Sequence, residues 1–378
     1  MRGDILESVA VRANGAISAI ALDLAHMWRN SFPTNGLENG TIQTTQPPRL
    51  SAARHDAHIR RFSFCTDTMM NKKVFAKLYK DVGGQVQQFA GRGMVIDIPA
   101  QEAADVLRTI TYYRFSGYAL PFRDVVSGNY TGNLKFSDVV SLYGFDCRLR
   151  ELVGNALAAV EVTLRAILSD EFSAKYGPLG YLDAANFAPG SGYDTTIAIL
   201  QKEFARSKQP CAEHFKSEYE NPPFWAAVDV TTFGSVSNIL KKLKREDQNA
   251  VSTHYGLRGD FLASYMHHAT VLRNLCAHHC RVFDFPYSKL KAPPQEFIFA
   301  PLKAWVKGGL AIRTDRPLIY QLALIYHLLK PTNRNVFDRE SWKKAVCEHF
   351  NTLPSTIENR VRGYVEFPKD AQNSPLWN

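Results

Sequence analysis

The chain has 378 residues, of which 45% are hydrophobic, 12% aromatic and 21% charged. This composition excludes a wholly disordered protein, a collagen and a small disulfide-rich scaffold, because each needs a very different share of apolar, glycine or cysteine residues. Lysine and arginine outnumber aspartate and glutamate by 45 to 36, and the resulting net charge of +9 is compatible with a polyanionic partner such as RNA, DNA or a membrane surface.

The first 69 residues differ from the rest of the chain. Between Pro33 and Pro48 the sequence reads PTNGLENGTIQTTQPP, which is rich in Asn, Gly, Thr and Pro and has no periodic apolar face. Such a segment cannot bury enough apolar surface to offset the entropy of ordering it. We therefore predict that residues 1–69 are a disordered or dispensable extension and that residues 70–378 form one helical body.

From residue 71 onward, apolar residues recur mainly at the spacing of an α-helix. This pattern predicts helices over residues 103–113, 148–168, 195–207, 236–244, 260–282, 317–329 and 339–351, the last with Asp338 as its N-cap. Strand-like alternation is sparse and confined to residues 95–98. The sequence therefore predicts an all-α fold with few or no strands.

The cysteines and the apolar runs both favour a cytoplasmic location. Six cysteines are scattered without regular spacing, which is typical of reduced thiols in a cytosolic protein. The apolar stretch 16–25 is interrupted by Asp23, and the later run 318–329 is too short to span a bilayer. We expect a cytoplasmic protein with no membrane partner.

The most informative stretch is Tyr265–Phe283, with the sequence YMHHATVLRNLCAHHCRVF. On a continuous helix its apolar residues form one stripe, and His279 lies on that stripe. Three polar residues share nearly the opposite side: Asn274, His278 and Arg281. Arg273 lies between the two faces, where a long side chain can lean toward the polar side.

These residue types are the ones that metal-free RNA cleavage needs. A histidine can take the proton of a ribose 2′-OH or give one to the departing 5′-oxygen, and a guanidinium can neutralise the charge that builds on the phosphorane. We expect His278 to act as general acid or base and Arg273 to stabilise the phosphate. Asn274 would position the imidazole or a phosphate oxygen. The products would carry 2′,3′-cyclic phosphate and 5′-OH ends.

Other interpretations of these residues stay open. His278 is also compatible with a solvated histidine on a polar helix face, and His279 with a core histidine whose ring nitrogen is satisfied. Cys276 and Cys280 lie one turn apart and would allow a zinc site. No second ligand pair occurs elsewhere at the characteristic spacing, so we expect no metal.

Glu161 and Arg165 form an i,i+4 pair within the predicted helix 148–168. Such a pair is most simply a salt bridge on the helix surface, worth about 0.3–0.5 kcal/mol. The alternative is that both residues support the catalytic side chains from a neighbouring helix. The basic run 241–245 is interpreted as a solvated helix end with some capacity to hold a phosphate backbone.

Residues 273–283, RNLCAHHCRVF, resemble the ribonuclease motif of the HEPN domains in abortive-infection proteins of the AbiD/AbiF type, the Abi-like family. Other blocks are similar to that family in order and spacing: residues 91–97 with 111–124, 143–153 with 158–166, 222–237 and 365–377. In the last block Glu366 stands where the family usually has Gly. The resemblance covers roughly residues 70–378.

The resemblance implies an all-α HEPN-type bundle that acts as a toxin-like endoribonuclease in phage defence, cutting tRNA or mRNA without metal or cofactor. It implies Arg273 and His278 as the catalytic pair and Asn274 as their polar neighbour. We assign RNA binding, or support of these side chains, to His279, Arg281, Glu161 and Arg165.

The resemblance also implies partners. HEPN nucleases usually bring two such motifs together, and this chain has one credible copy, so a homodimer with a composite active site is expected. A small non-coding RNA that acts as antitoxin is implied by analogy. The alternative function is a non-catalytic sensor in the same defence system that binds RNA or another protein.

Overall fold

The structure is a computed structural model, and it describes residues 78–285, 318–373 and 377. The described residues divide into two compact units, one with residues 78–88 and 100–112 and the other with residues 89–99, 113–285, 318–373 and 377. The predicted extension at residues 1–69 lies outside the described residues. Its boundary with the helical body therefore stays a prediction.

The described residues contain thirteen α-helices and no β-strand. In chain order they are α1 (Val82–Ala90), α2 (Ala100–Ile110), α3 (Tyr112–Ala119), α4 (Phe136–Tyr176), α5 (Tyr193–Arg206), α6 (Pro210–Glu218), α7 (Phe224–Asp229), α8 (Phe233–Lys242), α9 (Arg245–Thr253), α10 (Gly259–Ala277), α11 (Leu318–Leu328), α12 (Arg339–Phe350) and α13 (Ser355–Val365). The all-α prediction is confirmed. Where a short strand was expected at residues 95–98, only an isolated bridge joins Val95 to Lys135.

Several predicted helices agree closely with the observed ones. The predictions for 195–207, 236–244, 317–329 and 339–351 match α5, α8, α11 and α12 to within three residues at either end. Asp338 is the N-cap of α12, as predicted, because its carboxylate accepts hydrogen bonds from the backbone N–H groups of Glu340 and Ser341. The predicted helix 103–113 is interrupted at Thr111, whose φ of 61° separates α2 from α3.

In the smaller unit, the described residues include α2, which buries Ala103, Leu107 and Ile110 on one face. The side-chain amide of Gln88 donates a hydrogen bond of 2.8 Å to the hydroxyl of Tyr112.

Helix α4 is the central element of the larger unit. It has 41 residues, and at 1.5 Å per residue it is roughly 60 Å long. At its start Asp138 accepts a hydrogen bond from the backbone N–H of Lys135, and the chain leaves the helix at Gly177 with φ 76°. Helices α7 to α12 all contact it. The predicted helix 148–168 was too short at both ends, because apolar residues at helical spacing continue before residue 148 and after residue 168.

By length and composition, α4 is the one helix among the described residues that could cross a membrane. The core helix of a soluble protein passes the same test. One face of α4 is buried, with Leu149, Val160 and Leu164 among its residues, and the helix carries the acidic and basic residues that organise the candidate site.

Candidate functional site

The site lies where α10 ends, and that end differs from the prediction. A helix over 260–282 was expected, but α10 stops at Ala277 and His278 is its C-cap. The N–H of His279 donates to the carbonyl of Cys276 at 3.1 Å, and the N–H of Cys280 donates to that of Leu275 at 2.8 Å. This pair of bonds is a Schellman motif. The residue at its turn is His279, with φ 54°, a left-handed conformation that histidine adopts more readily than most residues other than glycine.

This helix end changes the placement of two predicted residues. His279 is exposed and does not lie on the buried stripe, so its interpretation as a core histidine is wrong. Arg281 lies beyond the turn and does not share a helical face with Asn274 and His278. No glycine or proline occurs among the eight residues after Ala277 to indicate a stop, which is why helical spacing alone extended the helix too far.

Arg273 is held by a carboxylate from the central helix. Its Nη2 lies 3.3 Å from Oε2 of Glu161, and its Nη1 donates to Oδ1 of Asn274 at 3.2 Å. The other oxygen of Glu161 accepts from Arg165 at 2.5 Å, and Arg165 also donates to the carbonyl of Thr231. The Glu161 carboxylate therefore bridges two arginines that come from α4 and α10.

Glu161 and Arg165 form the predicted ion pair, but it is largely buried and does not lie on the helix surface as expected. The Glu161 side chain is 9% exposed and that of Arg165 is 17% exposed, because α10 packs against α4 there. Arg273 keeps 35% of its side chain accessible. The ion pair with Glu161 thus fixes the position of the Arg273 guanidinium while part of that group stays accessible to solvent.

The segment after the turn is held by a second buried carboxylate, that of Asp146 on α4. Asp146 is completely buried. It accepts hydrogen bonds from the backbone N–H of Phe283 at 2.9 Å and of Val282 at 3.2 Å. It also accepts from the Tyr118 hydroxyl at 2.7 Å and from Nη1 of Arg150 at 2.6 Å. We call Asp146, Arg150 and Tyr118 the clasp.

Two arginines hold the carbonyls of the turn itself. Nη1 of Arg150 lies 3.4 Å from the carbonyl oxygen of Cys280, and Nη1 of Arg114 on α3 donates to the carbonyl of His279 at 2.5 Å. The backbone from residue 279 to residue 283 is therefore bound by side chains of both α3 and α4. The positions of His278 and His279 depend on these contacts.

Arg281 packs against α3. Its Nη2 lies 3.3 Å from Oδ2 of Asp284, and its guanidinium carbon lies 5.8 Å from the centre of the Tyr118 ring. A Cβ atom added at Gly117 would collide with Nη1 of Arg281. Glycine at position 117 therefore lets the guanidinium approach the backbone of α3 closely, and a larger residue would make the Arg281 side chain move.

The structure brings together four of the predicted residues: Arg273, Asn274, Glu161 and Arg165. His278 lies one turn after Asn274, and its N–H donates to the Asn274 carbonyl at 2.9 Å. Its side chain is exposed, as expected for the polar side of α10. These placements do not test the chemical roles, which stay predictions.

Sequence reasoning missed the clasp. Asp146 and Arg150 are an acid–base pair at i,i+4 spacing, and they lie in register with the buried residues Leu149 and Val153 of the same helix. Charged residues on the apolar face of a helix are almost never fully buried unless they are paired. This pattern was the available signal for a buried network.

Burial controls the titration of the groups around the clasp. It raises the pKa of the Asp146 carboxyl, while Arg150 and the hydrogen bonds from Tyr118, Phe283 and Val282 act in the opposite direction. Burial also raises the pKa of the Cys276 thiol to about 12. Among the residues that the structure describes, no three or more His, Cys, Asp or Glu side chains form a group that could hold a metal ion.

Comparison with known proteins gives one result. Residues 105–284 match the family model of Abi-like proteins, and this range includes α3, α4, α10 and the turn after α10. Searches of curated proteins and of solved structures find no match to the chain.

Proposed function

We propose, because residues 105–284 match the family model of Abi-like proteins and this match indicates a role in abortive infection and phage defence, that the chain is a metal-independent endoribonuclease of that response. In this proposal it acts in the cytoplasm as a toxin-like effector on tRNA or mRNA. A small non-coding RNA is the proposed antitoxin.

The observation that carries this proposal is the arrangement at the end of α10. A partly accessible guanidinium, that of Arg273, is fixed by a buried carboxylate, and two exposed histidines follow it within six residues. The arginine supplies fixed positive charge for a phosphate, and an exposed imidazole can exchange protons with solvent between turnovers. Both functions are needed for attack by a 2′-OH on the adjacent phosphate.

In the proposed reaction His278 removes the proton of the 2′-OH, or protonates the departing 5′-oxygen, and Arg273 stabilises the phosphorane. Asn274 accepts a hydrogen bond from Arg273 and so helps to orient the guanidinium. The 2′-oxygen forms a bond to phosphorus as the bond to the 5′-oxygen breaks, and water exchanges the proton that His278 does not transfer, so that the 2′-oxygen loses one proton and the 5′-oxygen gains one. The products are a 2′,3′-cyclic phosphate and a 5′-OH.

We further propose that two copies of the chain combine at this face. One exposed row runs along α10 and its C-cap at helical spacing: His267, Val271, Asn274 and His278. A second exposed row lies in the middle of α4 at the same spacing: Asn155, Ala158, Val162 and Ala166. The two helices pack on each other, and Val162 is 56% exposed. A second protomer on these two rows would cover their apolar members and bring two copies of Arg273 and His278 into one cleft.

The test of the nuclease is cleavage of purified tRNA and mRNA in EDTA. We expect the wild-type protein to cut and the His278→Ala variant to lose activity by roughly 100-fold or more. His214→Ala is the matched control, because His214 is an exposed histidine on α6 and its loss should leave cleavage unchanged. Equal cleavage by wild type and His278→Ala, or strict dependence on added metal, would refute the mechanism.

The test of the composite site mixes Arg273→Ala with His278→Ala protomers. A shared cleft restores one intact site in each mixed dimer, so activity should exceed that of either variant alone. No gain on mixing would contradict the shared cleft. If Arg273→Ala leaves phage defence intact, the protein is instead a non-catalytic sensor.

A further inference from the structure

Helix α3 runs beside the segment that follows α10, and their contacts keep a regular order. The ring of Tyr118 stacks on that of Phe283, with centroids 5.7 Å apart and planes 14° apart. Towards the start of α3, Gly117 faces the guanidinium of Arg281. One turn earlier, Arg114 donates to the carbonyl of His279. Residues closer to the start of α3 therefore contact earlier residues of the segment: the contacts run from residues 118 and 283 to residues 114 and 279.

Tyr113 is the next residue in this order. It precedes Arg114, and it lies one turn before Gly117 on the same side of α3, the side that meets the guanidinium of Arg281. Tyr113 thus belongs to the same end of α3 as Arg114, whose guanidinium holds the carbonyl of His279. Tyr113 is 74% exposed, so a large aromatic side chain directly before the arginine that holds the turn is accessible to solvent.

An exposed aromatic ring with arginines beside it is the combination by which proteins hold unpaired nucleotides. Bases stack on the ring, and guanidinium groups contact the phosphates. A role in the protein core does not account for Tyr113, because a core tyrosine such as Tyr118 is almost wholly buried.

We propose that Tyr113 and Arg114 form a subsite for one nucleotide of single-stranded RNA next to the scissile phosphate. The Tyr113 ring stacks on the base of that nucleotide, and the Arg114 guanidinium, anchored on the His279 carbonyl, supplies positive charge to its phosphate. This inference rests on the proposed ribonuclease function, and it adds that the substrate must present an unstacked base at that position.

The test compares two variants of Tyr113 on RNA oligonucleotides that contain a mapped cut site. Loss of one stacked base weakens binding by about 5- to 150-fold, so Tyr113→Ala should lower kcat/KM by that factor. Tyr113→Phe keeps the ring and should retain near wild-type activity. Tyr219→Ala is the matched control, because Tyr219 is also largely exposed, at 58%, and follows α6. It should leave cleavage unchanged.

An abasic substrate identifies the contact. Replacing the nucleotide next to the cut by an abasic one should slow the wild-type protein by the same factor as Tyr113→Ala. The two changes together should be no worse than either alone, because both remove the same stacking contact. Additive losses at every abasic position tested would overturn the assignment.

A binding measurement separates failure of this inference from failure of the nuclease proposal. If the wild-type protein cuts RNA and Tyr113→Ala cuts equally well, the subsite is wrong and the nuclease stands. If the wild-type protein cuts no RNA, the nuclease proposal fails, and anisotropy of a labelled single-stranded RNA still decides: weaker binding by Tyr113→Ala but not by Tyr113→Phe supports the subsite. If Tyr113→Ala abolishes phage defence without affecting RNA binding or cleavage, Tyr113 contacts another protein and the inference is overturned.

Discussion

Asp146 is the residue on which the segment after α10 most depends, and its replacement tests this directly. The change Asp146→Asn keeps the shape of the side chain and removes its charge. The Arg150 guanidinium, whose side chain is 7% exposed, then loses its buried counter-charge. An amide also has one oxygen in place of two, so it cannot accept all of the hydrogen bonds that converge from Tyr118, Phe283, Val282 and Arg150.

The expected cost follows from these losses. Removing one partner of a buried ion pair typically destabilises a protein by about 3–5 kcal/mol, because the remaining charge stays desolvated. For a unit of this size, that range corresponds to a decrease in melting temperature of roughly 5–9 °C.

Thermal and urea unfolding of the full chain, followed by circular dichroism, measure the effect. Glu151→Gln is the matched control on the same helix. It breaks the ion pair between Glu151 and Arg148, both more than half exposed, and should cost less than about 1 kcal/mol. Adding Arg150→Met to Asp146→Asn removes the orphaned charge and should recover about 1 kcal/mol or more.

The reasoning is refuted if Asp146→Asn is no less stable than Glu151→Gln. It is also refuted if the double variant is less stable than Asp146→Asn alone, because the cost would then not come from an unpaired buried guanidinium.

Three further predictions concern other parts of the larger unit. Burial lowers the pKa of His327 from 6.5 to about 4, so between these pH values the unfolded chain binds a proton that the native ring does not. Stability of the wild type should therefore fall as pH is lowered through this range, by up to about 3 kcal/mol. Urea unfolding at pH 7 and pH 4.5 should show a smaller loss of stability on acidification for His327→Gln than for the wild type. Equal losses in the two proteins would contradict the assignment to His327. Gly117→Ala places a Cβ against the guanidinium end of Arg281, which must move, so this variant should be less stable by about 1 kcal/mol than Gly144→Ala, where nothing lies near; similar melting temperatures for the two would refute the collision. Asp338→Ala removes the N-cap of α12 and should cost about 1 kcal/mol, while Asp338→Asn should retain most of that stability; an equal loss in both variants would show that capping is not the cause.

The helices and their buried faces could be predicted because their signals are local. Helical spacing of apolar residues located α5, α8, α11 and α12 closely, and the N-cap residue Asp338 marked the start of α12. The predicted exposure of His278 also agrees with the structure. In each case the relevant residues lie within a few turns of one another, where helix geometry relates sequence distance to position in space.

The candidate site could be predicted only in part, because its decisive contacts join residues that are far apart in the sequence. The hydrogen bonds from Val282 and Phe283 to Asp146 span 136 and 137 residues, and that from Arg114 to His279 spans 165. No local pattern encodes such distances. The place where α10 ends therefore escaped a prediction based on periodicity.

The sequence by itself determined the all-α class, the resemblance to the Abi-like family and the residue types at the end of α10. Only the tertiary structure decided that His279 turns the chain in a left-handed conformation and that Arg281 packs on α3 at Gly117. It also decided that Glu161 joins Arg165 to Arg273. The physical reason is that a buried charge requires a partner, and which partner it receives depends on how the helices pack, not on spacing along one of them.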